Sequence, residues 1–235
     1  MLRPRAVASI APLAVPLAAV TLLAASCVPA WLTMATLTPD GTDTYDAAGD
    51  LTALTVTAPA TNQGANLRVA LIPNDEPVSK DQEACATWTW ASSDQDQQGI
   101  VLRWDGLRAI SVTKNVAYGI YSTVNVMAWD STKPNVNERW QLYEQYGFMP
   151  GLMQANGQAK PLPWRMCAKS QGSAVWFKVW ATTQPEPAYG DPCCSGSASV
   201  PFWANPGKAG WYAGHLAPGD SVRYENLTAG PLPAT

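Results

Sequence analysis

The stretch from Pro163 to Trp180, P-W-R-M-C-A-K-S-Q-G-S-A-V-W-F-K-V-W, constrains the fold more than any other part of the chain. Two runs rich in aromatic and β-branched residues flank Gln171-Gly172, and glycine suits a tight turn, so the pattern predicts a β-hairpin. With Gln171-Gly172 as the loop, Ser170 faces Ser173, Lys169 pairs with Ala174, Ala168 with Val175, Met166 with Phe177 and Trp164 with Val179. Side chains alternate across a strand. One face therefore carries Trp164, Met166, Ala168, Val175, Phe177 and Val179, and is apolar. The other carries Arg165, Cys167, Lys169, Trp176, Lys178 and Trp180. A slip of one residue would scramble both faces, so the clean sorting fixes which residues face the core.

The rest of the chain repeats this texture. Strand-like runs cover Leu51–Thr57, Leu67–Ile72, Ala84–Trp90, Gly99–Trp104, Leu107–Val116, Ile120–Trp129 and Trp140–Tyr146. After the hairpin come Ala198–Trp203, Gly210–His215 and Ser221–Leu227. No segment keeps a 3.6-residue apolar period, and short strands between turn residues predict an all-β sandwich or barrel. Asp105-Gly106 is the strongest local turn signal. As a two-residue loop it sets Leu102 against Ala109 and Arg103 against Arg108. Like charges directly opposite are destabilising, so an acid should lie nearby, and the protein's own Asp or Glu is the expected source. In A-C-A-T-W-T-W, alternation groups Cys85 with Thr87 and Thr89, and Trp88 with Trp90.

The N-terminus reads as an export signal. Arg3 and Arg5 precede an apolar run from Ala6 to Ala25, ending in Leu23-Ala24-Ala25-Ser26-Cys27. That ending resembles a bacterial lipobox, with Cys27 as the lipidated residue, which would place the protein on the outer face of a cell membrane. Cleavage after Ala30, giving a secreted protein, and a retained helix are the other outcomes. The division is then 1–27 as signal, 28–50 as a tether or irregular lead-in, and 51–235 as one β-sandwich. Asp40, Asp43 and Asp46 in the lead-in read as turn carboxylates rather than a calcium site. With 14% charged residues and a formal net charge of -3, the chain lacks the basic excess that nucleic-acid binding calls for. A monomer is expected.

Five cysteines are one too many for complete pairing, and setting Cys27 aside for lipidation leaves an even four. Four cysteines allow three pairings. Cys85 with Cys167 and Cys193 with Cys194 is the preferred set, because Cys167 lies on the non-core face of its hairpin and the second pair is adjacent. The spacings fit no zinc pattern and His215 is the only histidine, so neither a metal nor a cofactor is expected.

Three motifs carry a family resemblance: the hairpin followed by Q-P-E-P-A-Y-G-D, the closing G-W-Y-A-G-H-L-A-P-G-D-S-V-R-Y-E-N-L, and the middle section from Q-Q-G-I-V-L-R-W to N-V-M-A-W-D. They resemble the concanavalin A-like, or laminin G-like, jelly-roll domains of bacterial secreted proteins over about residues 84–227. Cys193-Cys194 departs from that pattern and residues 28–80 match it loosely. The resemblance implies an all-β, two-sheet antiparallel jelly-roll sandwich, one sheet concave and often used to bind glycans or peptides. It decides nothing about catalysis, because the family includes hydrolases and lyases.

Serine or cysteine catalysis would have to run through His215, whose Gly-rich setting reads as a turn or strand edge. Glycoside hydrolysis needs two facing carboxylates. Asp94-Gln95-Asp96 has a suitable spacing but sits in a loop-like sequence, while Glu186, Asp191 and Glu225 are isolated. An enzyme is therefore the less favoured outcome. Eleven tryptophans against three phenylalanines exceed what a core needs, since phenylalanine supplies apolar bulk with no N–H to satisfy. The expectation is a glycan- or envelope-polymer-binding module using Trp176, Trp180, Arg165 and Lys178, with Arg165 opposite Lys178. Asn125, Trp129, Trp140 and Tyr143 form a second set. A hydrolase or lyase, and a purely structural surface domain, are the alternatives.

Overall fold

A computed structural model describes residues 27–117, 121–147, 149–156 and 159–233. The signal segment, apart from Cys27, lies outside them. Fourteen strands run in order: β1 Leu32–Thr38, β2 Asp46–Gly49, β3 Ala53–Thr57, β4 Arg68–Pro73, β5 Gln82–Ala91, β6 Gln97–Trp104 and β7 Arg108–Ala117. They continue as β8 Tyr121–Asp130, β9 Trp140–Gly147, β10 Trp164–Gln171, β11 Ala174–Ala181, β12 Ser195–Ser199, β13 Lys208–Gly214 and β14 Ser221–Pro231. They form two seven-stranded sheets, β1-β4-β13-β6-β7-β8-β9 and β12-β11-β10-β5-β14-β3-β2, with antiparallel pairing throughout. This is the antiparallel jelly-roll sandwich. Among the described residues no helix is long and apolar enough to cross a membrane.

The core is the space between the sheets, filled by the alternate residues that face inward. Trp88, Trp211, Phe177, Leu54, Leu71 and Ile100 are all under 2% exposed there, and burying side chains of this size contributes roughly 1.5–3 kcal/mol each. Their polar atoms are met where the fold allows it. Trp211 Nε1 donates to the Cys85 carbonyl, and Tyr224 OH to the Tyr212 carbonyl.

The hairpin β10–β11 turns on Gly172-Ser173, one residue later than expected. Gln171 pairs with Ala174, Met166 with Val179 and Trp164 with Ala181. Gly172 takes φ +59 at the first loop position, where a type II′ turn needs glycine. The change moves each pairing by two residues, an even number, so every side chain keeps its face. The expected core face is buried throughout.

The Asp105-Gly106 hairpin moves by one residue instead. Leu102 pairs with Ile110 rather than Ala109, which sets two core residues together. Arg103 absorbs the odd residue with φ +56 and turns its side chain out of the ladder. There it donates to the carbonyls of Lys80, Trp203 and Gly172. The two arginines are thus not opposed, and the protein's own acids accompany each. Asp105 lies 2.9 Å from Arg108 and Asp81 lies 3.8 Å from Arg103.

The segment expected as a tether, 28–50, is instead built into the sandwich. β1 closes one edge of the first sheet and β2 one edge of the second. The Thr-rich run L-T-M-A-T-L-T suits a strand because threonine is β-branched. A register shift between Thr36 and Thr38 breaks the alternation that would have signalled it. Asp43 accepts from the backbone N–H of Gln63 and Gly64, and Asp40 from that of Asn66, as turn carboxylates do. The run expected as Ala198–Trp203 divides into β12 and a short 3-10 turn at Pro201–Trp203.

Candidate functional site

The outer face of the second sheet is organised in cross-strand rows. Trp180, Arg165, Thr87 and Glu225 stand side by side on β11, β10, β5 and β14. The next row holds Lys178, Cys167, Cys85 and Thr228, and the one beyond it Trp176, Lys169, Glu83 and Gly230. The first expected set therefore shares one face, but the partners differ from expectation. Arg165 stands opposite Trp180, and Lys178 opposite Cys167. Cys85 and Cys167 are bonded across β5 and β10, and Cys193 is bonded to Cys194, the preferred pairing.

A strap from β11 to β12 covers part of this face. Glu186 lies 2.5 Å from Lys178, whose ammonium also donates to the Pro187 carbonyl. Tyr189 packs on Cys85, Cys167 and Trp180, and receives the Lys169 and Lys178 ammonium groups on its ring at 4.5 and 4.6 Å. Its hydroxyl donates to Glu83. Burial, followed by that bond to Glu83, raises the Tyr189 pKa above the ordinary tyrosine value. Trp180 is left 4% exposed and Lys178 8%, so neither ring face nor ammonium is open along its length. Trp176 is half-buried at the far end of the face.

Beside the strap lies an open depression of about 700 Å³, lined by Leu51, Thr52, Thr87, Arg165, Trp180, Thr182, Glu186, Asn226, Leu227 and Thr228. Arg165 Nη1 donates to Thr87 Oγ1 at 3.0 Å and to the Asn226 carbonyl at 2.9 Å. Burial lowers the Arg165 pKa, opposed by the charges of Glu186 and Glu83, yet an arginine remains a cation in this setting. Asn226 reaches the depression because β14 bulges between Glu225 and Thr228 and Asn226 takes φ +50. Asparagine tolerates that left-handed conformation better than most residues, which is the only sequence hint of its role.

Trp90 completes the face and was grouped wrongly by simple alternation. Arg223 pairs with Trp90 while Tyr224 pairs with Trp88, so Thr89 is an extra residue on β5. A bulge of this kind reverses which way the following side chain points. Trp88 is 1% exposed in the core, whereas Trp90 stands 56% exposed on the outer face. It is flanked on β14 by Arg223, which bonds Glu225 at 3.2 Å.

The second expected set lies on the outer face of the first sheet and comes together only in part. Trp129 pairs directly with Trp140, and Asn125 lies on the same face. Tyr143 leaves the group, packing toward the core with its hydroxyl buried and unpaired. Trp140 is 45% exposed, but Trp129 is 1% and Asn125 4% exposed. His215 is committed elsewhere, in contact with Arg68. Burial and then the Arg68 charge push its pKa down to about 4. Asp96 is 1% exposed and accepts from the Ser93 backbone, so it serves the turn. Among the described residues no group of three or more His, Cys, Asp or Glu side chains is placed to hold a metal ion.

No protein-family model matches the chain, and no curated protein matches it. Solved structures do. The legume lectin-like domain from Entamoeba histolytica aligns at TM-score 0.51 and 9% identity, over 86% of this chain and 90% of that one. A functionally unknown protein from Saccharomyces cerevisiae aligns at 0.51 and 13%, over 81% and 97%. The carbohydrate binding module CBM66 from Bacillus subtilis aligns at 0.49 and 9%, over 84% and 94%. With its two seven-stranded antiparallel sheets and a lectin-like neighbour at this coverage, the chain has the concanavalin A-like jelly-roll fold.

Proposed function

We propose that the protein is a glycan-binding module and that it binds on the outer face of the second sheet. The exposed Trp90 ring carries this reading. Its large flat surface stands on the central strand β5, one cross-strand row beyond Thr87 of a depression that mixes apolar lining with a few polar groups, the combination a sugar needs. Apolar C–H faces of a pyranose stack on indole, while a few placed polar groups fix orientation. Thr87, Arg165 and Asn226 supply those groups from three neighbouring strands. The lectin-like character of the Entamoeba histolytica neighbour supports the same use of the fold.

A glycan array followed by titration tests this. Wild-type protein should retain at least one saccharide class, and Trp90→Ala should weaken it at least tenfold. Binding left unchanged by Trp90→Ala, or no binding to any saccharide, counts against the assignment.

We further infer, from the apolar run that ends at Cys27, that the protein is exported and lipid-anchored. Cys27 is exposed, its thiol is unpaired, and its carbonyl accepts from Ala47 of β2. An acyl chain on Cys27 would thus leave the domain at the edge of the binding sheet. Metabolic labelling with a palmitate analogue should mark the protein and be lost in Cys27→Ala. Labelling that survives the substitution rejects the anchor.

A further inference from the structure

Arg165 and Lys169 are the cations of the binding face that form no ion pair among the described residues; Lys169 lies on the Tyr189 ring, whereas Arg165 opens onto the depression. Its Nη1 is spent on Thr87 and Asn226, while Nε and Nη2 form no hydrogen bond among the described residues. Nor does any described carboxylate form an ion pair with it. Three acids on or over this face are already engaged. Glu186 pairs with Lys178, Glu83 accepts from Tyr189 OH, and Glu225 pairs with Arg223. Other arginines of the chain are provided for: Arg108 by Asp105, and Arg103 by three carbonyls with Asp81 beside them.

Glu186 and Glu83 act on Arg165 only from beyond ion-pair distance, and a half-buried charge with no carboxylate in contact is costly to the folded protein. The guanidinium fork matches a carboxylate with two parallel N–H···O bonds, and Arg165 opens onto the depression. We propose that the glycan bound here is acidic, with its carboxylate held by Nε and Nη2 of Arg165 while a sugar ring lies on Trp90. This rests on the glycan-binding reading above and names the class of sugar. A neutral sugar offers hydroxyls to the same N–H groups but leaves the charge uncompensated. Glu186, on the rim, opposes an incoming anion, and its charge sets how far acid is favoured over ester.

The test compares oligogalacturonate, oligoalginate and hyaluronan oligosaccharides with their methyl esters by titration calorimetry at low salt. At least one acid should bind ten or more times tighter than its ester. Arg165→Gln should bring that ratio close to one, with circular dichroism confirming the fold. Glu186→Gln keeps Arg165 and should raise the ratio several-fold, which serves if Arg165→Gln does not fold. Acid and ester binding equally, both lost in Trp90→Ala, would overturn the carboxylate while leaving glycan binding intact. A ratio that survives Arg165→Gln, or is unmoved by Glu186→Gln, overturns it as well. If neither acids nor esters bind while the array returns a neutral glycan, the carboxylate assignment alone falls; if the array is empty as well, both readings fall.

Discussion

The two outer faces of the sandwich use the same residue types to opposite ends. On the first sheet, Trp129 Nε1 donates to Ser111 Oγ, and Tyr212 OH to Gln97 Oε1. The Trp129 ring lies 6.1 Å from that of Tyr212, with the Arg68 guanidinium 5.9 Å away on its face. On the second sheet, Trp90 is open to solvent and Arg165 lacks an acid. An aromatic ring with a nearby cation is therefore not by itself a binding surface. What separates the faces is whether ring and charge have already found partners within the fold. The first face spends Trp129 and Arg68 on itself, although Trp140 stays exposed; the second engages Trp180 and Lys178 under the strap but leaves Trp90 and Arg165 available.

That contrast can be broken most sharply by truncating the two tryptophans in parallel. Trp129→Ala deletes a ring that is 1% exposed and strands Ser111 and Arg68, so it should cost about 3–5 kcal/mol. Trp90→Ala removes an exposed ring and should stay within about 0.5 kcal/mol. Urea unfolding of both variants measures this. Comparable losses would mean that Trp90 is a structural residue, and the proposed division between the faces would fail.

The sequence makes the sandwich legible far better than it does the site. Hydrophobic alternation located eleven of the fourteen strands, overlapped only the end of β12, and sorted β10–β11 correctly, because an error of two residues in register leaves the faces unchanged. It failed wherever one residue was inserted. Thr89 turned Trp90 outward, Arg103 left the β6–β7 ladder, and Asn226 bulged into the depression. A bulge is set by packing against a neighbouring strand, information absent from a local pattern. The strap is similar: nothing in Q-P-E-P-A-Y-G-D places Tyr189 over the disulfide, so Trp180 and Lys178 read as open when they are covered. Of the first set, Arg165 is half-buried and lines the depression, and the small Thr87 beside it on β5 becomes its neighbour only through sheet pairing, which the local pattern does not carry.

A smaller effect separates the self-satisfied side of the molecule from the rest by its response to acid. His215 contacts Arg68, and its pKa is pushed down to about 4 from 6.5. Between those values the unfolded chain binds a proton that the fold refuses, so His215 makes stability fall as pH falls. Asp96, near Lys114 and Asp220, is pushed up by burial to about 6 from 3.8. Over nearly the same window the fold binds a proton that the unfolded chain does not, so Asp96 makes stability rise as pH falls. Each shift of about two units is worth on the order of 2–3 kcal/mol, and the two oppose. Asp50 and Asp105, both held below the ordinary carboxylate value by their hydrogen bonds, contribute stability that is lost only as pH drops below about 4. Wild-type stability should therefore change little between pH 6.5 and 4.5. Asp96→Asn, which keeps an acceptor for Ser93, should lose stability across that interval, and His215→Asn should gain it. Urea midpoints at three pH values decide the matter, and parallel profiles for the three proteins would show that neither group titrates as its surroundings imply.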